Sequence, residues 1–244
     1  MNEPYILREC DDWAAVVKPH GMPSAPLPGR EEGTLLSWFV SRRPEADAVV
    51  GKKAIERGLV HRLDTATWGI VLVAKNQKTY EAFLSFQERD FVRKRYIALC
   101  RKTESTSPRA PVLRDNGAFP LAVRSRFRPW GPKGREVRPL FPGDRGYAAA
   151  SRDYETIVES IVPISRDRAG DGLYRVSCAL TRGFRHQVRS HLAFSGFPIV
   201  SDRVYGFPED RGELCLYAVE ISFPSPNDGS REVVSLPPPD RTIP

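Results

Sequence analysis

Cysteine is scarce in this sequence, and no two cysteines are close enough to suggest a zinc ribbon or a disulfide scaffold. The four cysteines are spread over 244 residues without a Cys-x-x-Cys spacing, so we predict reduced thiols, mostly packed. No apolar run approaches the roughly 18 residues of a membrane span, and no basic-then-apolar leader begins the chain. Repeats and heptads are also missing. We therefore expect a cytoplasmic protein that does not associate with a membrane, the alternative being an organelle reached by a signal of another kind.

The composition is that of a globular protein with a basic excess. Hydrophobic residues make up 41% and charged residues 27%, enough apolar material to bury a core in one domain or a two-lobed one. Lysine and arginine total 37 against 30 acids, for a net charge of +7 and a pI near 9.4. This excess favours a polyanionic partner, because lysine and arginine contacts to phosphate release counterions. Many basic proteins bind no nucleic acid, so charge alone does not assign the partner.

Short strands mixed with helices predict an α+β fold with a mainly antiparallel sheet. Apolar or alternating runs predict strands at residues 13–17, 70–74, 96–100, 173–180 and 214–223. Thr34 and Asn76 are suited to cap two helices. Phe184, Val188 and Leu192 are spaced for a third helix from about Gly183, and Arg185 and Arg189 would then share another face of it.

A segment from about residue 103 to 150 is rich in proline, glycine and arginine and reads as an insertion. Within it, residues 124–138 carry six basic side chains and one acid, with a Gly-Pro-Lys-Gly turn in the middle. We predict a basic hairpin or arm that contacts an RNA backbone. The alternative is a solvated loop whose charge is incidental.

The segment HRLDTATWG at residues 61–69 places a carboxylate, Asp64, in a loop before a buried strand. A neighbouring arginine can keep such a carboxylate ionised, which makes Asp64 a candidate nucleophile or base. On its own, Arg-x-Asp is more often a surface ion pair. A protein-kinase catalytic loop is excluded, because the spacing differs by one residue and no Gly-rich loop or Asp-Phe-Gly occurs.

Residues 61–76, HRLDTATWGIVLVAKN, closely resemble the signature of the RluA-type RNA pseudouridine synthases. Four further blocks occur in the order typical of that family: VKPHGMP, KRYIAL, TRGFRHQVRSHL and FPI with a later Asp and Tyr-Gly. The resemblance implies the pseudouridine synthase fold, a mixed, mainly antiparallel sheet with flanking helices and a central RNA-binding cleft. We expect residues 1–244 to form a single catalytic domain with two sublobes around that cleft, without an S4-like N-terminal module.

The same resemblance assigns roles to individual residues. It implies that Asp64 attacks the target uridine, that Tyr96 is a catalytic residue that packs on the uracil and can serve as a base, and that Arg62 holds the RNA open. The family also pairs its aspartate with an arginine, but Phe184 stands at the expected position here. We favour Arg185 for that role because the predicted helix would carry it, and Arg182 is its rival. The other predicted substrate-binding residues are His61, Thr67, His186, Arg189 and Lys18.

These expectations define a reaction and a partner. The enzyme would flip uridine out of ribosomal or transfer RNA and isomerise it, and an isomerisation requires no metal or organic cofactor. Asp64 could attack the base, attack the sugar or remove a sugar proton, and the sequence leaves these routes open. We expect a monomer. The competing hypothesis is a catalytically inactive RNA-binding or ribosome-assembly factor on the same fold.

Overall fold

The chain forms two compact units in a computed structural model that describes residues 3–26, 29, 31–150, 152–166, 172–207 and 209–237. The first unit is Met1–Lys94 with Tyr217–Pro244, and the second is Arg95–Leu216. In chain order the strands are β1 (Tyr5–Glu9), β2 (Trp13–Lys18), β3 (Trp68–Ala74), β4 (Arg93–Arg101), β5 (Leu121–Trp130), β6 (Glu136–Leu140), β7 (Tyr154–Arg166), β8 (Gly172–Leu180), β9 (Leu216–Pro224) and β10 (Arg231–Ser235). The α-helices are α1 (Leu35–Val40), α2 (Gln77–Glu88) and α3 (Gln187–Phe194).

The first unit is a sheet of order β1–β2–β3–β9, with β10 also paired to β9. Every residue of β2 and β3 is buried, as the uninterrupted apolar runs predict. The pairings β1–β2, β2–β3 and β9–β10 are antiparallel, whereas β3 and β9 run parallel. The prediction of a mixed, mainly antiparallel sheet is confirmed.

The two helices of the first unit begin at the predicted caps. The Thr34 side chain accepts from the amide of Ser37 in a capping box, and the Asn76 side chain accepts from the amide of Thr79 at 2.9 Å. Helix α2 then buries Phe83 against Phe223 of β9, with the ring centroids 5.1 Å apart. The cap side chains supply acceptors for amides of each first turn that have no partner within the helix, and the Phe83–Phe223 packing fixes α2 on the sheet.

The second unit is built on the strand order β4–β8–β7–β5–β6. Strands β7 and β8 pair antiparallel with two bulges, and β5 pairs antiparallel with β6 as a hairpin. The predicted basic hairpin at residues 124–138 is therefore confirmed. Its turn is a short 3-10 helix, Pro132–Gly134, as the glycines and proline predict.

Helix α3 begins later than the sequence pattern predicts. It starts at Gln187, after His186, whose backbone lies in the left-handed region with φ of 56°. Phe184 is outside the helix and its ring stacks on Phe127, with centroids 5.0 Å apart and planes 4° from parallel. The apolar spacing of Phe184 therefore reflected packing of an aromatic pair in the second unit rather than a helix face.

All four cysteines are free, and Cys100, Cys178 and Cys215 are buried, as predicted. Across the described ranges, the helices are too short or too polar to cross a membrane.

Candidate active site

Asp64 lies in a tight loop of the first unit, immediately before the buried strand β3. The amide of Thr67 donates to the carbonyl of Asp64 at 3.0 Å, which closes a turn around the carboxylate. Leu63 and Thr67 are buried, whereas Asp64 is half-buried. The loop therefore packs its flanks inward and leaves its acid partly accessible.

Three side chains of residues 18–24 hold this loop by its backbone, and we call Lys18, His20 and Ser24 the loop clamp. The Ser24 hydroxyl accepts from the amide of Leu63 at 3.0 Å and donates to its carbonyl at 2.9 Å. The Lys18 ammonium donates to the Thr65 carbonyl at 3.1 Å, and His20 Nδ1 lies 2.7 Å from the next carbonyl along the loop. Four backbone groups around Asp64 are thereby satisfied, which fixes the position of its carboxylate.

Lys18 is completely buried, and its role differs from the predicted one. Its ammonium group also donates to the carbonyls of Pro19 and Met22, both at 2.8 Å. Three carbonyl acceptors match the three hydrogens of an ammonium ion. Burial lowers the pKa of Lys18 to about 7, and the negative charge of Asp64 opposes that shift. Lys18 was predicted to bind substrate, but its donors are committed to the protein backbone, so we assign it a positioning role.

Gly69, the second residue of β3, is required by the close approach of β3 and β9. It has φ of 133°, and a Cβ there would lie 2.2 Å from the Ala218 carbonyl oxygen of β9. No side chain fits in that space. The glycine therefore lets β3 lie directly against β9, and β3 in turn supports the Asp64 loop.

His61 and Arg62 precede the acid and differ in exposure. The amide of Leu72 donates to Nε2 of His61 at 3.3 Å, and burial together with the charge of Lys94 lowers the pKa of that ring to about 3. His61 is thus neutral at physiological pH. Arg62 is exposed and forms an ion pair with Glu56 at 2.9 Å. Its predicted contact with RNA stays a prediction.

The predicted site residues Tyr96 and Arg182 belong to the second unit. Tyr96 is buried on β4, in the alternating pattern expected for that strand, and Arg182 is half-buried just after the end of β8. Neither placement tests the predicted roles.

Arg185 is not carried by a helix, so the reason for favouring it was wrong. It is exposed, precedes α3, and donates through Nη2 to the carbonyls of Gly134 and Glu136, the second at 3.1 Å. These carbonyls belong to the turn and the second strand of the β5–β6 hairpin. Arg185 therefore anchors the hairpin.

Arg189 and His186 also serve the interior of the second unit rather than a solvated face. Arg189 is buried and forms a bidentate pair with Asp202, at 2.8 and 2.7 Å. His186 Nδ1 lies 3.1 Å from the Tyr205 hydroxyl, which in turn accepts from the amide of Val137 at 2.8 Å. The predicted substrate contact of Arg189 is corrected by its burial, because its guanidinium is occupied by a carboxylate.

His191 packs inside the second unit and holds two hydroxyl groups of neighbouring strands. It is fully buried, with Nδ1 2.9 Å from the Thr156 hydroxyl and Nε2 2.7 Å from the Ser125 hydroxyl. Within the part of the chain that the structure describes, no group of three histidine, cysteine or acidic side chains could hold a metal ion.

The loop clamp was only partly visible in the sequence. Lys18 stood out in the block VKPHGMP, but Ser24 carried no signal because an isolated serine in a proline-rich loop is ordinary. Its importance follows only from its two hydrogen bonds to Leu63, a residue 39 positions away.

Comparison with known proteins matches residues 12–194 to a family described as RNA pseudouridylate synthase, a range that contains the loop clamp, Asp64 and Tyr96. The chain belongs to this family. The RluA-type resemblance of the sequence is thereby confirmed, since relatives named Ribosomal large subunit pseudouridine synthase D also match.

Sequence identity to the following matching proteins is 30% or less, although a solved structure shares the fold. The chain is 27% identical over 237 residues to the Uncharacterized RNA pseudouridine synthase YlyB of Bacillus subtilis, covering 96% of this chain and 69% of that protein. It is 30% identical to an Uncharacterized RNA pseudouridine synthase of Chloroflexus aurantiacus, covering 90% of this chain and 61% of that protein. The structure of Human RNA Pseudouridylate Synthase Domain Containing 1 shares the fold, with a TM-score of 0.70, 20% identity, and 98% and 84% of the two chains covered.

This chain is shorter than the curated relatives that it matches. It spans 69% of the Bacillus protein, 61% of the Chloroflexus protein and 51% of the Xylella fastidiosa Ribosomal large subunit pseudouridine synthase D, which is 28% identical.

Proposed function

We propose that this protein isomerises uridine to pseudouridine in RNA, with the carboxylate of Asp64 as the attacking group. The observation that carries the proposal is the loop clamp, which fixes four backbone groups around Asp64 and leaves its side chain partly accessible. A clamped loop before a fully buried strand holds a reactive group in one position, which is what catalysis requires. Family membership over residues 12–194 supports the assignment.

The chemistry needs a positioned carboxylate that stays ionised, and therefore a cation that keeps it so. In the isomerisation, the bond between the ribose C1′ and uracil N1 breaks, the ring turns, and a bond from C1′ to C5 forms. The proton on C5 leaves and N1 gains one, so atoms balance and no redox partner is needed. Because the glycosidic bond is inaccessible inside a helix, the nucleotide must be flipped out at a cost of a few kcal/mol.

We propose Tyr96 as the aromatic residue that packs on the flipped uracil, which would recover about 1–3 kcal/mol of the flipping cost. We propose Arg182 as the cation that the reaction requires. This reverses the preference stated from the sequence, because the Arg185 guanidinium is engaged by two hairpin carbonyls.

The substrate proposed is a structured ribosomal or transfer RNA, bound by a monomer in the cytoplasm. The net charge of +7 favours such a polyanion. Arg62 is proposed to contact the RNA beside the flipped nucleotide, since it is exposed and lies two residues before Asp64.

The test is pseudouridine mapping in RNA from cells that lack the protein, together with release of tritium from 5-tritiated uridine in vitro. One pseudouridine should disappear on deletion and return with the wild type but not with Asp64→Asn. Asp47→Asn is the matched control, because it removes an exposed carboxylate from the same unit, where Asp47 pairs with Arg57 at 2.7 Å. It should restore the modification fully.

A single outcome would favour the second candidate, an inactive RNA-binding or assembly factor. If deletion impairs ribosome assembly while every pseudouridine persists, and Asp64→Asn restores growth as well as the wild type does, the enzymatic proposal is rejected. The loop clamp would then serve only to fold the first unit.

A further inference from the structure

The β5–β6 hairpin presents a row of cationic side chains on one face of a strand. Alternation along β5 buries Val123, Ser125 and Phe127, and therefore places the even-numbered residues on the opposite face. Those residues are three arginines followed by a tryptophan: Arg124, Arg126, Arg128 and Trp130. The face is thus a stripe of guanidinium groups that ends in an aromatic ring.

The charges along this stripe are not equally available. Arg124 pairs with Glu155, and Arg126 pairs with Asp153 at 3.0 Å while also donating to the backbone carbonyls of Tyr147 and Ala150. These two arginines at the base of the hairpin are neutralised by acids from the neighbouring segment. The excess positive charge of the hairpin therefore lies in its distal half.

At the distal half, two arginines meet one exposed tryptophan. The guanidinium carbons of Arg128 and Arg138 lie 4.7 and 4.2 Å from the ring centroid of Trp130, and the two arginines are direct cross-strand partners. The tryptophan is 40% exposed. We call these three residues the Arg–Trp–Arg cluster. Lys133 and Arg135 extend its charge into the exposed turn, and the one acid within residues 124–138 is Glu136, 3.5 Å from Arg138.

The hairpin is held rigidly enough to serve as a binding arm. Val137 of β6 receives hydrogen bonds from the Ser190 and Tyr205 hydroxyls at 3.0 and 3.1 Å, and Arg185 donates to the carbonyls of Gly134 and Glu136. The anchoring groups lie on the inward side of β6 and at the turn. The outward cluster is therefore presented on a fixed support, which reduces the ordering cost of binding.

We propose that the Arg–Trp–Arg cluster binds an unpaired nucleotide of the substrate RNA, by stacking a base on Trp130 and contacting flanking phosphates through Arg128 and Arg138. This inference rests on the proposed function, because it supplies a second RNA contact for the same enzyme. An exposed aromatic ring among guanidinium groups fits single-stranded RNA, whose bases are free to stack and whose phosphates are anionic. A folded acidic protein would complement the charge but would not use the ring as a stacking surface.

The direct test measures affinity for a short oligouridylate by fluorescence anisotropy, using the full chain with Asp64→Asn so that no turnover occurs. Trp130→Leu should weaken binding about 5- to 150-fold without changing its salt dependence. Trp130→Phe should retain part of the affinity. Intrinsic fluorescence is measured in a Trp38→Phe background, because Trp38 is only half-buried whereas Trp13 and Trp68 are buried. In that background the oligouridylate should quench the fluorescence, and Trp130→Phe should abolish the response.

The arginines are tested separately by salt dependence. Arg128→Gln with Arg138→Gln should reduce the slope of log affinity against log salt by about 1.4, the value for two phosphate contacts on a single strand. The matched control is Arg124→Gln with Arg126→Gln, which removes the same charge from positions already paired with acids and should change the slope by less. Thermal unfolding of each variant shows that the fold is retained.

The inference is overturned if the cluster variants bind oligouridylate with wild-type affinity and slope, or if the control pair has an equal effect. A duplex of the same length should bind with little dependence on Trp130, and an equal dependence would also contradict base stacking. Failure here leaves the uridine modification assay untouched. Conversely, if the Asp64→Asn variant behaves like the wild type and the enzymatic proposal is rejected, these binding measurements remain valid.

Discussion

Two arginines of the second unit, only three positions apart in sequence, are expected to act differently. Arg185 donates to the carbonyls of Gly134 and Glu136, so its removal should loosen the hairpin and raise KM by about 3- to 10-fold, the effect of roughly one hydrogen bond at a solvent-exposed side chain. Arg182→Ala should instead lower kcat by about 100-fold or more, as expected for a cation that stabilises charge in the reaction. Steady-state kinetics of both variants on the mapped RNA measures this difference.

The control for this comparison is the lysine variant at each position, which keeps the charge but loses the planar donor fork. Arg182→Lys should recover part of kcat. A loss of kcat in Arg185→Ala that exceeds the loss in Arg182→Ala would show that Arg185 is the catalytic cation after all.

Lys18 supports the Asp64 loop at the residue scale. Lys18→Met preserves the apolar stem but leaves the carbonyls of Pro19, Met22 and Thr65 without their donor. Unsatisfied buried polar groups cost about 1–3 kcal/mol each, so we expect the free energy of unfolding to fall by about 3 kcal/mol or more. Urea unfolding measures this loss. Lys78→Met, on the exposed face of α2, should change stability by less than about 0.5 kcal/mol. Equal stability of the two variants would contradict the clamp.

At the scale of elements, α3 is fixed to the second unit by a buried ion pair. Arg189 of the helix meets Asp202 at 2.7 Å, and Asp202 also accepts from the amides of Val204 and Tyr205. Arg189→Met would leave a buried carboxylate without its cation, which costs about 3–5 kcal/mol. Adding Asp202→Leu should restore part of the stability, measured by urea unfolding of the single and double variants. If Arg189→Met is as stable as the wild type but binds RNA less tightly, the original substrate-binding prediction is correct.

The sequence predicts best those elements whose burial follows a regular local pattern of apolar residues. Strands β2 and β3 are buried on both faces, and the helices after Thr34 and Asn76 carry their own caps, so local pattern decides them. Strand β7 was missed because Pro163 interrupts its pattern and two bulges shift its register against β8. Its length and pairing depend on β5 and β8, which no local window contains.

The candidate site shows the same difference between features that a local sequence pattern predicts and contacts between residues far apart in sequence. Asp64, Tyr96 and the basic hairpin were predicted from motif and charge, and the family match confirms the family rather than each role. The partners of Arg185 and Arg189 could not be predicted, because both arginines bind groups that are distant in sequence. The predicted helix face that they would share also gave no reason to expect contacts inside the protein. A basic side chain near a motif is thus consistent with both substrate contact and internal anchoring until its acceptors are known.

For the molecule as a whole, most of the net positive charge lies in the β5–β6 hairpin. Residues 124–138 hold six basic side chains and one acid, a net of +5, whereas the entire chain carries +7. The rest of the chain is therefore close to neutral, and the salt dependence of RNA binding should come mainly from this hairpin. Replacing Arg128, Lys133, Arg135 and Arg138 together with glutamine should lower the slope by about 2.8 at 0.7 per contact on single-stranded RNA. An unchanged slope would show that the binding charge lies elsewhere.

Stability should also fall in acid because the folded protein holds two histidines in the neutral form. Burial lowers the pKa of His191 to about 3, and burial with the charge of Lys94 lowers that of His61 to about 3. Between pH 6.5 and 3 the unfolded chain binds protons that the folded chain does not, so stability decreases as pH falls, by about 1.4 kcal/mol per pH unit for each histidine. Urea unfolding between pH 7.5 and 5 measures this slope. His191→Gln can still bond the Ser125 and Thr156 hydroxyls, and the slope of its free energy of unfolding against pH should be smaller by the contribution of about one proton. An identical slope in variant and wild type would show that His191 protonates freely in the folded protein.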